Sequence, residues 1–178
     1  MEWRINDITI ETARGDIAAQ EDMEAVVNAA NAELETGGGV AGALHRTAGP
    51  ELAAAGEKYA PISPGEAVVT EAFQLPNKKV IHCLGPVYGK DHPAEELLIQ
   101  CYINSLKRAE EEKLKSIVFP AISTGAFGYP FHEAMKTAVG TVLEQIGSLR
   151  QIKHIRFLLF SQEEKEKYTA HLAETIGQ

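Results

Sequence analysis

Basic side chains are in the minority: 17 Lys and Arg stand against 25 Asp and Glu, a formal net charge of -8. A non-specific hold on DNA or RNA depends on clustered cations that release counterions from phosphates, so this balance argues against such binding and no nucleic-acid partner is expected. The one dense charged run, residues 107–115, alternates in sign like the solvated end of a helix. Long apolar runs are missing as well. No stretch approaches the roughly 20 consecutive apolar residues of a membrane span, and the opening Met1-Glu2-Trp3-Arg4-Ile5-Asn6-Asp7 lacks the apolar centre of a signal peptide. The expectation is a cytoplasmic protein with no membrane partner. Cysteine is scarce: Cys83 and Cys101 both lie in apolar surroundings and read as core thiols rather than as a disulfide. With no repeat, low-complexity tract or Pro/Ser-rich linker, the 178 residues, 44% of them apolar, fit one domain over 1–178.

What is present is an alternation of two periodicities. Strand-like apolar runs occupy residues 3–11, 25–30, 67–70, 79–84, 116–120 and 154–160, several too continuously apolar to be exposed on either face. Between them, residues 39–48, 51–59, 94–112, 132–146 and 162–176 read as helices; Leu97, Leu98, Cys101 and Leu106 recur at helical spacing in the third. Strands joined through helices imply crossovers, and crossovers imply parallel pairing. The expected architecture is a three-layer α/β/α sandwich around a mixed, largely parallel sheet.

Two loops carry chemistry. The first follows residues 25–30 and reads Asn31-Ala32-Glu33-Leu34-Glu35-Thr36-Gly37-Gly38-Gly39-Val40, leading into a helix. Consecutive glycines leave backbone N–H groups uncovered, and the helix start adds its positive dipole end, a combination suited to a phosphate or a ribose hydroxyl. A plain turn seldom needs three glycines beside a helix start. The second loop follows residues 116–120 and reads Ala121-Ile122-Ser123-Thr124-Gly125-Ala126-Phe127-Gly128-Tyr129-Pro130. It offers hydroxyls and N–H groups to a diphosphate, with Phe127 and Tyr129 as flat apolar surface. Loops at the C-terminal ends of neighbouring parallel strands converge on one crevice, so the two form one site. Gly37-Gly38-Gly39-Val40-Ala41-Gly42 fits G-x-G-x-x-G only formally: it does not directly follow a strand, and position 62, where an acidic residue would belong, is Ile62. Neither loop ends in the Gly-Lys-Ser/Thr of a phosphate-binding P-loop.

Five ordered blocks give the chain a family likeness: Gly15-Asp16-Ile17, Val27-Asn28-Ala29-Ala30-Asn31, Gly37 to Val40 through His45-Arg46, Val80-Ile81-His82 with Gly85-Pro86, and Pro120 to Gly125 with Phe127-Gly128-Tyr129-Pro130. Over essentially its whole length the chain resembles the macrodomain family. The resemblance implies binding of ADP-ribose, or of an ADP-ribosylated substrate, by a monomer. Position by position, it implies that Asp16 accepts from the exocyclic amine of adenine with the Ile17 N–H close by, and that Phe160 stacks on the base, with Phe157 and Tyr129 as competitors for that role. It further implies that Asn31 bonds the distal ribose, that Gly37, Gly38, Gly39 and Val40 wrap this ribose and its phosphate, and that Ser123, Thr124, Gly125, Ala126 and Phe127 clamp the diphosphate. A carboxylate suits adenine because it accepts from an amine and repels the carbonyl that guanine carries there.

In the hydrolase branch that the chain most resembles, catalysis involves the Asn matched by Asn31 and an Asp at the position held here by Ala41. An alanine cannot hold or deprotonate a water. His45 is the nearest titratable group along the same helix face; its alternative is a helix residue bonded to a loop carbonyl. Glu33 and Glu35 read equally well as solvated surface. Two readings follow, an ester hydrolase acting on O-acetyl-ADP-ribose or on acidic side chains carrying ADP-ribose, and a binding module without turnover; removal of a 1″-phosphate from ADP-ribose is a third that no residue selects. The histidines at 45, 82, 92, 132, 154 and 171 form no ligand pair, and His82 and Cys83, adjacent on a strand, face opposite ways, so neither a metal nor a cofactor is called for.

Overall fold

The computed structural model describes residues 1–177. Seven strands form one sheet: β1 (Glu2–Ile5), β2 (Ile8–Arg14), β3 (Ala25–Ala29), β4 (Ala67–Glu71), β5 (Lys79–Cys83), β6 (Ser116–Phe119) and β7 (His154–Leu159), in the order β1-β2-β7-β6-β3-β5-β4. The pairs β2/β7, β7/β6, β6/β3 and β3/β5 are parallel, while the outer pairs β1/β2 and β4/β5 are antiparallel. Five helices cover it: α1 (Gly39–Ala48), α2 (Glu51–Gly56), α3 (Ala94–Glu111), α4 (Phe131–Gln145) and α5 (Gln162–Ile176). The mixed, mostly parallel sandwich expected from the sequence is what forms. No helix among the described residues is long and apolar enough to cross a membrane.

Two boundaries need correction: α2 ends at Gly56, short of the expected residue 59, and the first apolar run is divided. Residues 3–11 are not one strand but parts of β1 and β2, with Ile5 paired to Ile8 across a two-residue turn. Asn6 takes φ 57°, and Asn is among the few non-glycine residues that tolerate this left-handed region. Its polar neighbour Asp7 interrupts the apolar run only briefly, so periodicity alone reads through the turn.

Alternation along the strands divides the core. Ala25, Val27, Ile81, Cys83, Ile117, Phe119, Ile155 and Phe157 face α3, α4 and α5, where Tyr102 packs on Phe119 and Tyr168 on Phe157 with ring centroids 5.0 and 5.4 Å apart. Val26, Val80, Val118 and Leu158 face the other way, onto Leu44 and Ala48 of α1 and Leu52 of α2. Both cysteines are buried free thiols, as expected.

That second face also holds polar groups. His82 is fully buried; Thr70 donates its hydroxyl proton to Glu71 O at 3.0 Å and so accepts from His82 Nε2 at 2.9 Å. His82 Nδ1 is then the acceptor for the Asn28 amide at 3.1 Å, which makes the ring neutral. Burial, with His45 adding charge repulsion, pushes the His82 pKa down from 6.5 to about 3. The unfolded chain therefore takes up a proton below pH 6.5 that the fold refuses until about pH 3. Stability is complete above pH 6.5 and falls as the pH drops through that window. Moving from pH 7 to pH 5 is expected to cost about 2 kcal/mol through His82. Urea unfolding at the two pH values checks this, and His82→Gln should remove most of the difference.

Candidate functional site

Because β2, β7, β6 and β3 run parallel, the segments leaving their C-terminal ends meet on one side of the sheet. These segments are the turn at Asp16, the loop from Ala30 to Gly38, the loop from Pro120 to Pro130, and Phe160.

The first loop is held shut by Asn31. Its Nδ2 donates to Glu35 O and its Oδ1 accepts from Glu35 N, both at 2.9 Å, while Ile62 N donates to Ala32 O and Leu34 is buried against Ala30, Ile62 and Leu84. One amide proton of Asn31 stays free. A Cβ built on Gly37 would stand 3.4 Å from Asn31 Nδ2 and 4.0 Å from Ala41 Cβ, so the catalytic candidate and the Ala41 methyl meet at this glycine. His45 is enclosed instead. It lies one turn further along α1, 7% exposed, with Nε2 unpartnered among the described residues, and burial lowers its pKa.

Glycine has different reasons at different positions here. Gly39 has φ 54° and needs its freedom, and a Cβ on Gly42 would run into Gly37 O. Gly38 has φ -85° and ψ -179°, extended backbone open to any residue, and a Cβ there would meet nothing within 4 Å. The space above Gly125 is equally empty. Packing within the protein does not demand glycine at either position; the close approach of a bound group would.

In the second loop the hydroxyls turn inward. Ser123 Oγ donates to Pro86 O and Thr124 Oγ1 to Ala121 O, both at 2.8 Å. Ser123 has φ 69°, and Gly85 sits so close that any side chain on it would overlap Ser123 Oγ and Ile122 Cγ2. Tyr88 N donates to Phe127 O at 2.8 Å, and its ring lies 4.9 Å from that of Tyr129. The N–H groups of Gly37, Gly38, Gly125, Ala126 and Phe127 have no acceptor among the described residues. These, with the α1 N-terminus, are the donors offered to a ligand. The clamping segment from Gly85 to Tyr88 was signalled in the sequence only by Gly85-Pro86, and Tyr88 not at all.

At the other end, Asp16 caps the short 3-10 turn Ile17–Ala19: Oδ1 accepts from Ala18 N at 2.9 Å, and Oδ2 has no hydrogen bond among the described residues. Phe160 is 90% exposed, whereas Phe157 and Tyr129 are buried, so of the three aromatics only Phe160 offers a free face. No group of three or more His, Cys, Asp or Glu among the described residues is arranged to hold a metal ion.

A family model described as Macro domain matches residues 27–138, which contain both glycine loops. The chain belongs to the macrodomain family. Among its relatives, the O-acetyl-ADP-ribose deacetylase of Citrobacter rodentium is 43% identical over 164 residues, 89% of this chain and 92% of that one. The Oceanobacillus iheyensis macrodomain solved with ADP superposes with a TM-score of 0.94 at 39% identity, over 99% of this chain and 96% of the other. The Trypanosoma brucei macrodomain in complex with ADP-ribose gives a TM-score of 0.81 at 35% identity, over 92% and 68%.

The two kinds of glycine can be told apart by melting. In this macrodomain, Gly38→Ala is expected to leave the thermal midpoint unchanged or slightly raised. Gly85→Ala forces overpacking worth roughly 1–3 kcal/mol, a drop on the order of 2–12 °C. Equal midpoints would refute the close-packing account of Gly85.

Proposed function

We propose that this macrodomain binds ADP-ribose in the crevice and hydrolyses an ester at its distal ribose, either the acetyl of O-acetyl-ADP-ribose or the carboxylate of a modified acidic side chain. The observation that carries the binding reading is the pair of loops whose free N–H groups line open space beside Gly38 and Gly125. Neutral N–H donors and a helix start suit a diphosphate, and no competing acceptor occupies them. In this reading Asp16 Oδ2 and the Ile17 N–H take the adenine edge, and the exposed Phe160 ring covers its face. Gly37, Gly38, Gly39 and Val40 take the distal ribose and its phosphate, while Gly125, Ala126 and Phe127 present free N–H groups to the diphosphate and Ser123 and Thr124, bonded inward, hold that loop in place.

Asn31, with its free amide proton and its rigid hold on Glu35, orients the distal ribose hydroxyls and the acyl group they carry. Water adds to the acyl carbonyl, the bond from acyl carbon to ribose oxygen breaks, and the departing oxygen takes a proton. No side chain at position 41 accepts the water's proton, so the ligand's own diphosphate orients the water and the proton leaves to solvent. A missing general base costs a factor of about 10² to 10⁴ in rate, which leaves slow turnover rather than none.

Ala41 also motivates the second reading, a module that holds ADP-ribose without turnover. The deciding measurement is release of ADP-ribose from a glutamate-linked mono-ADP-ribosylated protein under multiple turnover, with calorimetric binding alongside. Release that Asn31→Ala abolishes supports the hydrolase; binding without release supports the module. Because the Ala41 methyl already adjoins Asn31 across Gly37, Ala41→Asp is expected to raise the hydrolytic rate by about 10² or more. Gly38→Glu should abolish binding by placing a carboxylate where the phosphate goes, and undiminished affinity in that variant would sink the site assignment.

A further inference from the structure

Gln20 belongs to none of the sequence blocks, yet both ends of its amide are engaged. Nε2 donates to Asp16 O at 2.9 Å, and Oε1 accepts from Arg156 Nη1 at 2.8 Å. Arg156, midway along β7 with its side chain 11% exposed, also donates to both Asp22 oxygens at 2.8 and 2.6 Å and, through Nε, to Glu11. A planar guanidinium gripped by two carboxylates has its donors fixed in direction. It can face only the oxygen of the Gln20 amide, which commits the NH₂ end to Asp16.

The same residues underlie the Asp16 turn. Arg156, Leu158 and Phe160 alternate onto one side of β7 and its extension. A Cβ on Gly15 would lie 3.4 Å from Gln20 Nε2 and 3.7 Å from Leu158 Cδ1. The turn therefore rests on Gln20 and Leu158.

We propose that Gln20, locked by Arg156, is a positioning residue for base selection: it sets the height and tilt of the Asp16 turn so that Oδ2 meets a purine 6-amino group and rejects a 6-carbonyl. This rests on the reading of Asp16 as the residue that contacts the base. Asp16 Oδ1 is held by Ala18 N, so the carboxylate moves with its backbone, and its backbone carbonyl accepts from Ala19 N at 3.0 Å within the turn and from Gln20 Nε2, the one side chain that grips it.

The test is calorimetric titration of ADP-ribose, of inosine diphosphate ribose, which has a carbonyl in place of the amine, and of ribose 5-phosphate. Gln20→Glu keeps an oxygen for Arg156 and loses the donor to Asp16 O; Gln20→Met loses the donor without adding charge. The wild type should prefer ADP-ribose over the inosine nucleotide. In both variants that preference should fall about tenfold, the equivalent of one lost hydrogen bond, with ribose 5-phosphate affinity unchanged. An unchanged preference in either folded variant overturns the proposal and leaves the role of Asp16 standing. Equal losses toward both nucleotides mark Gln20 as merely structural and overturn it too. A wild type that binds ADP-ribose without preference overturns the reading of Asp16 together with the proposal.

Discussion

Side chains at this crevice bind backbone, and the backbone N–H groups of Gly37, Gly38, Gly125, Ala126 and Phe127 in the two glycine loops are left unpaired among the described residues. Asn31 brackets Glu35, Ser123 reaches Pro86, Thr124 reaches Ala121, and Asp16 caps Ala18. Each bond fixes a loop before anything arrives, so less ordering cost is charged against binding. A loop held this way keeps its N–H groups aimed at one point, whereas a free glycine stretch would sample many shapes. The Gly85 contact extends the same logic across chain segments, because the tight seating of residues 85–88 on the second loop leaves it little room to open.

The electrostatics of the site follow from this division. Between Ala30 and Gly38, and between Ala121 and Pro130, there is no Lys or Arg, and the first loop carries Glu33 and Glu35. In the proposed binding mode, negative charge in a ligand is met by N–H dipoles and the start of α1, in a chain whose net charge is -8. Such donors work at hydrogen-bonding distance and reward shape; a cluster of lysines would attract any polyanion from afar. The cationic Arg156 is placed below the pocket and neutralised by Glu11 and Asp22, with Asp22 held down to a pKa of about 2 by its bonds to the guanidinium. Its charge maintains architecture rather than recruiting phosphate.

Periodicity and glycine placement made most of this legible. The buried strands β3, β5 and β6 read as continuous apolar runs, α1 and α5 fall within their expected limits, and the two loops declared themselves by composition. Three things had no local signal. The Asn6 turn hides in a run that is apolar on both sides. The inward use of Ser123 and Thr124 depends on Pro86 and on a left-handed φ, neither of which hydroxyl content predicts. The link from Arg156 to Gln20 joins residues 136 apart in sequence and exists only once β7 lies beside β2. Phe160 shows the converse: it closes an apolar strand as a core residue would, yet the strand ends one residue earlier and its ring emerges into solvent.

Ala41 is where fold and chemistry separate. Its methyl is buried at the start of α1, opposite Asn31 across Gly37, and α1 packs on the sheet through Leu44 and Ala48 whatever stands at that position. Nothing about the sandwich, the glycine loops or the clamp by residues 85–88 requires a carboxylate there. In the proposed mode, binding is spread over four segments, with the diphosphate met by backbone, whereas efficient removal of the water's proton would depend on one side chain at one position. The first is shared among many groups, so a substitution removes it only by opening a loop or by filling the ligand's space, as a side chain at Gly38 would. The second would be weakened or restored by the three atoms of one carboxyl group, with the binding surface left in place.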